Sequence, residues 1–280
     1  MSYLASSDGT ILYYKDWGAG RPVVFIHGWP VNSDMWDSQM LHFANNGFRA
    51  VAYDRRGFGR SDQPWNGYNY KTLADDLNAV MTRLSLEDAL LVGFSMGCGE
   101  VVRYLAWCGS SRVSGAVLIG PVTPGLMRTE SRPEGVDPGT FEGMREAIRR
   151  DRASFLAGFN PLMTGSNRAD SAVTAEVLNW LQAMELQGSI KATVECVTAF
   201  SATDFEEDLA KITVPTLIIH GGDDRTAPLE LTSRITAKLI KGSKLAVYEG
   251  APHALMLTHG ERLNRDLLEF AQASHGNKAR

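Results

Sequence analysis

Residues 89–97 read Ala89-Leu90-Leu91-Val92-Gly93-Phe94-Ser95-Met96-Gly97, an apolar run that ends on a serine two residues from a glycine on either side. A run this short, without charge or period-two alternation, suits a strand buried on both faces. The stretch after it, 97–108, has the length and composition of a helix. Ser95 therefore stands on a strand-to-helix turn. In that setting a G-x-S-x-G pattern holds the serine on a sharp bend, and the glycines remove side chains that would strike neighbouring backbone. The bare pattern says little; its place between strand and helix carries the weight.

Further runs of the same kind occur at 22–27, 49–54, 116–120, 214–220 and 244–248, with helix-length stretches at 71–84 and 230–241. This alternation predicts an α/β fold built on a doubly wound, mostly parallel sheet with right-handed crossovers. Residues 11–16 follow a Ser7-Asp8-Gly9 turn signal and read as part of an antiparallel hairpin at one sheet edge. The rhythm breaks at 121–208. Pro121, Pro124, Pro133 and Pro138 crowd its start. Phe141, Met144 and Ile148, then Phe155, Leu156 and Phe159, then Leu178, Leu181, Met184 and Leu186, follow at helical spacing, as core-facing residues do. The chain thus divides into a first part of the core (1–120), an inserted helical cap (121–208) and a second part of the core (209–280), with 274–280 read as a frayed tail.

Composition narrows the classes of function. The chain has 280 residues, 44% of them hydrophobic and 21% charged, the balance of a globular protein with a sizeable core. A net charge of −4 argues against nucleic acid or an anionic membrane surface as partner. No stretch approaches the ~18 consecutive apolar residues of a membrane span. No basic start followed by an apolar run marks a signal peptide, so the expected location is cytoplasmic. Three cysteines, Cys98, Cys108 and Cys196, form no C-x-x-C pair, which disfavours a disulfide framework or a thiolate zinc site.

In open parallel sheets ligands bind beyond the carboxyl ends of the strands, so the residues after each run are the ones to read. Ser95 is the candidate nucleophile, and a serine hydroxyl needs a base to take its proton. Of the six histidines, His42 and His259 read as helical, His275 lies in the tail, and His27 and His220 end strands where they would bond loops. His253 follows the last strand in a loop, on the side of the sheet where Ser95 lies. Asp223 and Asp224 follow the 214–220 run, and one of them could hold the His253 ring in its useful tautomer while the other serves the turn. Backbone N–H donors for an oxyanion are expected from Met96, after the serine, and from Trp29 in the His27-Gly28-Trp29-Pro30 loop, since Pro30 has no N–H.

Five segments together resemble the cofactor-free bacterial haloperoxidase branch of the α/β-hydrolases, which includes aryl and short-chain esterases, perhydrolases and some lactamases. They are His27-Gly28-Trp29-Pro30, residues 54–61 (Asp-Arg-Arg-Gly-Phe-Gly-Arg-Ser), Gly93-Phe94-Ser95-Met96-Gly97, residues 220–224 (His-Gly-Gly-Asp-Asp) and Ala251-Pro252-His253. The resemblance runs from about residue 3 to about residue 270. It implies an α/β-hydrolase fold with a helical cap, a triad of Ser95, Asp224 and His253, and oxyanion donors at Trp29 and Met96. Asp224, rather than Asp223, is the acid on this pattern because it stands four residues before Pro228. The chain departs from the family in Ala254 after the histidine, in Thr226-Ala227 before Pro228, and in Cys98, read as a small packing residue. Residues 54–61 read as a structural turn bracing the nucleophile loop.

The expectation is a serine carboxylic-ester hydrolase needing no cofactor and no metal. An apolar cap rich in Phe, Met and Trp180 points to small aryl or short-chain acyl groups as substrates. Hydrogen peroxide in place of water as acyl acceptor would make the same site a perhydrolase, and a lactone or lactam would use the same residues. A receptor-like protein that keeps only the fold is the rival of a different class. Serine at the elbow disfavours the dehalogenases and epoxide hydrolases of this fold, which carry aspartate there. A homo-oligomer is compatible with all of this.

Overall fold

Each apolar run forms a strand in a computed structural model of the chain, which describes residues 2–169 and 171–274. The tail, with His275, lies beyond the described residues from 275 onward. The chain starts with the hairpin β1 (Ser2–Ala5) and β2 (Ile11–Gly18), then runs through β3 (Arg21–Ile26), α1 (Asp37–Asn45), β4 (Phe48–Tyr53) and α2 (Tyr70–Arg83). It continues through β5 (Ala89–Phe94), α3 (Met96–Trp107) and β6 (Val113–Ile119). The inserted helices are α4 (Pro138–Thr164), α5 (Ala175–Gln187) and α6 (Ile190–Ala202), followed by α7 (Glu206–Ala210). The remainder is β7 (Thr216–Gly221), α8 (Ser233–Leu239), β8 (Lys244–Tyr248), α9 (Leu255–Thr258) and α10 (Gly260–Ser274).

The sheet has eight strands in the order β1-β2-β4-β3-β5-β6-β7-β8. β1 and β2 pair antiparallel with each other, and β2 pairs antiparallel with β4; the pairs from β4 through β8 are parallel. From β3 the chain steps one way to β4 and then back across to β5, so the strand order reverses between β3 and β5. That reversal opens a crevice at the carboxyl ends of those two strands, where neighbouring loops turn away from each other. The loops from His27 and from Ser95 leave the sheet there.

Apolar side chains fill both faces. Met40 and Phe43 of α1 with Trp36 just before it, and Leu263 and Leu267 of α10, pack on one face; Leu73, Val80, Val101 and Leu105 pack α2 and α3 on the other. At ~25 cal/mol per Å² of apolar surface removed from water, burial of such side chains is the main force holding helices to sheet.

Several boundaries differ from the reading of the sequence. β7 begins at Thr216 because Pro215 has no N–H to give the ladder. α8 starts at Ser233 because Thr232 has non-helical backbone (φ −123°, ψ −88°), and its hydroxyl bonds Pro228 O at 2.8 Å. α4 breaks at Asp151 (φ −157°, ψ 89°), whose side chain caps the next turn by accepting from Ser154 N at 3.0 Å. In α5, Leu181 and Met184 are buried, but Leu186 and Trp180 are exposed at 38% and 39%. Leu186 therefore does not continue the core stripe, and Trp180 does not belong to a substrate-facing wall. α7 packs on α3 and α8, so the chain is back on the sheet layer by Glu206. Among the described residues no helix is long and apolar enough to cross a membrane.

Candidate active site

Ser95 occupies the bend between β5 and α3 with φ 53° and ψ −118°, a conformation costly for any residue with a Cβ. The glycines explain how the bend fits. A Cβ on Gly97 would lie 2.5 Å from Ile26 O, and one on Gly93 would lie 2.7 Å from Gly97 O. Larger side chains there would push the serine turn off β3. Cys98, next along, is buried with Sγ facing Gly93 O and Ile119 O, a packing role as expected. All three cysteines are free.

The turn aims the serine at the loop after β8. His253 Nε2 lies 2.9 Å from Ser95 Oγ, and His253 Nδ1 lies 2.6 Å from Asp224 Oδ2. Ser95, Asp224 and His253 are all buried, and the Phe94 ring packs against the imidazole with centroids 4.8 Å apart. The other carboxylate oxygen, Asp224 Oδ1, accepts from Thr226 N and Ala227 N, each at 2.8 Å. Burial opposes the charge on Asp224, but the His253 and His220 rings outweigh it and hold the carboxyl well below the usual carboxylate range. Asp223 is absent from this relay: it pairs with Arg168 at 2.7 Å at the surface.

The loop after β3 is pinned from two directions. Trp29 Nε1 donates to Thr193 O of α6 at 3.0 Å, and the indole meets Phe159 of α4 and Phe200 of α6 edge-on. From below, Arg55 donates to His27 O at 2.5 Å and forms a fully buried ion pair with Glu100 of α3. Burial, and then the nearby Arg55 charge, hold the His27 imidazole neutral. Its Nδ1 faces Gly28 O at 2.7 Å while Nε2 accepts from Arg55 N at 2.9 Å. Asp54 takes Ser33 N and Arg60 N at 2.9 and 2.8 Å. Residues 54–61 thus brace the loop after β3 as well as the helix behind the serine.

Above the relay lies a cavity of about 190 Å³. Trp29, Phe141, Phe159, Met163 and Phe200 line it, with Ser95 and His253 at its floor and Arg225 as the charged residue in its lining. Met and Phe of the cap do face this space, whereas Trp180 does not. Among the described residues, no three His, Cys, Asp or Glu side chains are grouped as a metal site.

Sequence reasoning missed two partners. His220 does not only bond its loop; it also approaches the acid, with Nε2 at 3.2 Å from Asp224 Oδ2. The four-residue spacing between them was the available signal. Glu185, a carboxylate on helix α5 with no sequence signal of burial, is fully buried and bonded by Asn160 at 2.9 Å. Of the remaining histidines, His42 is helical as expected, while His259 sits at the junction of α9 and α10.

A serine elbow joined to histidine and aspartate at the reversal point of a doubly wound sheet defines the α/β hydrolase class. The chain belongs to the α/β hydrolase fold family, whose profile matches residues 21–260. It is 43% identical to a non-heme haloperoxidase of Rhodococcus erythropolis, over 98% of this chain and 100% of that protein. It is 42% identical, over the same shares, to a bifunctional esterase/perhydrolase of Acinetobacter calcoaceticus. Among solved structures, a bromoperoxidase from Bacillus anthracis superposes with a TM-score of 0.92 at 40% identity, covering 97% of this chain and 100% of that one.

Proposed function

We propose that the protein is a serine carboxylic-ester hydrolase that works through an acyl-enzyme on small aryl or short-chain acyl esters. The observation carrying this reading is the relay Ser95 Oγ–His253 Nε2 (2.9 Å) and His253 Nδ1–Asp224 Oδ2 (2.6 Å), opening on an apolar cavity. With Nδ1–H given to Asp224, Nε2 is left to accept the serine proton. As Oγ bonds the ester carbonyl carbon, its proton passes to Nε2 and the carbonyl π pair moves onto oxygen. The N–H groups of Trp29 and Met96 are the donors for that oxyanion. Met96 is the first residue of α3, so its N–H has no acceptor within the helix. Each such donor is worth ~2.7–4 kcal/mol of transition-state stabilisation. Collapse expels the alkoxide, which takes the proton from Nε2, and Ser95 stays acylated. Water, deprotonated by His253, then attacks the acyl carbon, and collapse releases the acid and restores the serine.

Cavity size sets the substrate class. A space of ~150 Å³ with aliphatic and aromatic walls holds one benzene ring, so about 190 Å³ takes an acetyl, propionyl or single-ring group. The test is burst kinetics with p-nitrophenyl acetate. Wild type should release a stoichiometric burst of nitrophenol, and Ser95→Ala should lose both burst and turnover; unchanged turnover in the variant refutes the assignment.

A second reading, perhydrolysis, uses the same acyl-enzyme with hydrogen peroxide as acceptor, giving peracid and free serine. It is favoured by the similarity to a relative named esterase/perhydrolase and by Pro30, whose ring restricts the backbone of Trp29. Peracetic acid should form from an acetate ester and peroxide, and Pro30→Leu should lower that rate more than hydrolysis. An equal effect on both rates removes the special role of Pro30.

A further inference from the structure

The His220 ring stands at the end of β7, fully buried, with three polar neighbours. Its Nε2 lies 2.9 Å from Ala227 O and 3.2 Å from Asp224 Oδ2, both acceptors, so Nε2 carries the proton. Its Nδ1 lies 2.7 Å from Ser233 Oγ, which donates to it and fixes that tautomer. Asp224 Oδ2 is therefore approached by two imidazole N–H groups, from His253 at 2.6 Å and from His220 at 3.2 Å. We infer that His220 is a positioning residue that sets the basicity of His253 by sharing the Asp224 oxygen with it.

The physics is competition for one anionic oxygen. A hydrogen-bond donor held at a carboxylate stabilises its charge and reduces what that oxygen offers a second donor. With His220 in place, Asp224 stays ionised and oriented, yet it stabilises the His253 imidazolium less than an unshared carboxylate would. A base that binds its proton less tightly is free at lower pH and returns the proton to the leaving group more readily. Ala227 closes the arrangement, because its N–H holds Asp224 Oδ1 at 2.8 Å while its carbonyl takes the His220 proton. Other charges lie around the loop: Asp223, paired with Arg168 at 2.7 Å and Arg225 at 3.6 Å, and Glu249, whose carboxylate packs against Gly222. A substitution at 220 leaves these groups in place, so their field is common to wild type and variants.

The test pairs two variants and rests on the serine-hydrolase reading only in its kinetic arm. His220→Asn removes the donor at the Nε2 position, whereas His220→Gln can place an amide N–H there. The acidic limb of kcat/KM for p-nitrophenyl acetate is expected to move up by roughly half to one pH unit in His220→Asn, with His220→Gln near wild type. Titration of His253 by NMR on histidine-labelled protein should show the same displacement with no substrate present. That arm stands even if Ser95→Ala keeps its activity and the hydrolase reading falls. An unmoved His253 titration in a folded His220→Asn overturns the inference, and so does a displacement in His220→Gln as large as in His220→Asn. If His220→Asn does not fold, His220→Leu replaces it: it fills the space without a donor and should move the titration in the same direction, and no movement overturns the inference.

Discussion

Glu185 of α5 lies fully buried against Asn160 of α4, which donates to its Oε2 at 2.9 Å. Glu185 Oε1 and Asn160 Oδ1 are buried acceptors without a partner among the described residues. A proton on Oε1 would turn one of these unpartnered acceptors into a donor. Burial drives the carboxyl the same way, pushing it up to about 7 against the pull of the Asn160 hydrogen bond. Between the ordinary 4.5 and about 7 the folded chain therefore holds a proton that the unfolded chain releases. The folded state binds more protons in that window, so stability falls as pH rises through it, full below the lower value and lost above the higher. At ~1.4 kcal/mol per pH unit the loss is about 3 kcal/mol. Glu185→Gln isolates the effect, because its amide can pair with Asn160 as the protonated acid does, at every pH. Urea unfolding of both proteins at about pH 5 and about pH 8 provides the assay. Wild type should lose most of that ~3 kcal/mol relative to the variant, and groups common to both cancel in the difference. A wild-type–variant difference that does not change with pH refutes the reasoning.

Asp224→Asn should leave the fold intact and lower kcat by about 10³–10⁴-fold, since an amide no longer enforces the Nδ1–H tautomer; activity within tenfold of wild type would argue against Asp224 as the acid. Glu100→Ala leaves the Arg55 guanidinium buried without its carboxylate, and chemical denaturation should show a loss of about 3–5 kcal/mol. Phe159→Ala removes a ring of the cavity wall that also borders an outer groove along α4. The kcat/KM ratio for p-nitrophenyl hexanoate over acetate should rise by roughly tenfold, the scale at which hydrophobic pockets discriminate chain length.

Much of this site was legible because its signals are local or ordered along the chain. The turn at Ser95 shows in the glycines at 93 and 97: a Cβ on Gly97 would stand 2.5 Å from Ile26 O of β3, and one on Gly93 would stand 2.7 Å from Gly97 O. His253 and the acid follow from the rule that parallel strands deliver their loops to one edge. Asp224 was separated from Asp223 by family resemblance alone; in the structure the carboxylate of 224 turns inward to Thr226 N and Ala227 N while that of 223 meets Arg168.

Other features have no local signature. Whether Trp180 faces a substrate or the solvent depends on how α5 is rotated against α4, and helical spacing does not say which apolar stripe wins. Glu185 has the sequence context of a solvated helix residue; only the packing of two cap helices buries it beside Asn160. Two histidines converge on Asp224 because β7 and the loop after β8 meet across the sheet edge.

The sequence by itself determined the strand–helix alternation, the serine bend and the residue types of the relay, since these depend on backbone sterics and hydrophobic periodicity within a few residues. Tertiary structure alone decided which polar groups share an acceptor, which carboxyl is taken from water and which aromatic faces enclose the cavity. Those outcomes depend on distances between segments remote in the chain, and electrostatic energies change steeply with separation and with exclusion of solvent.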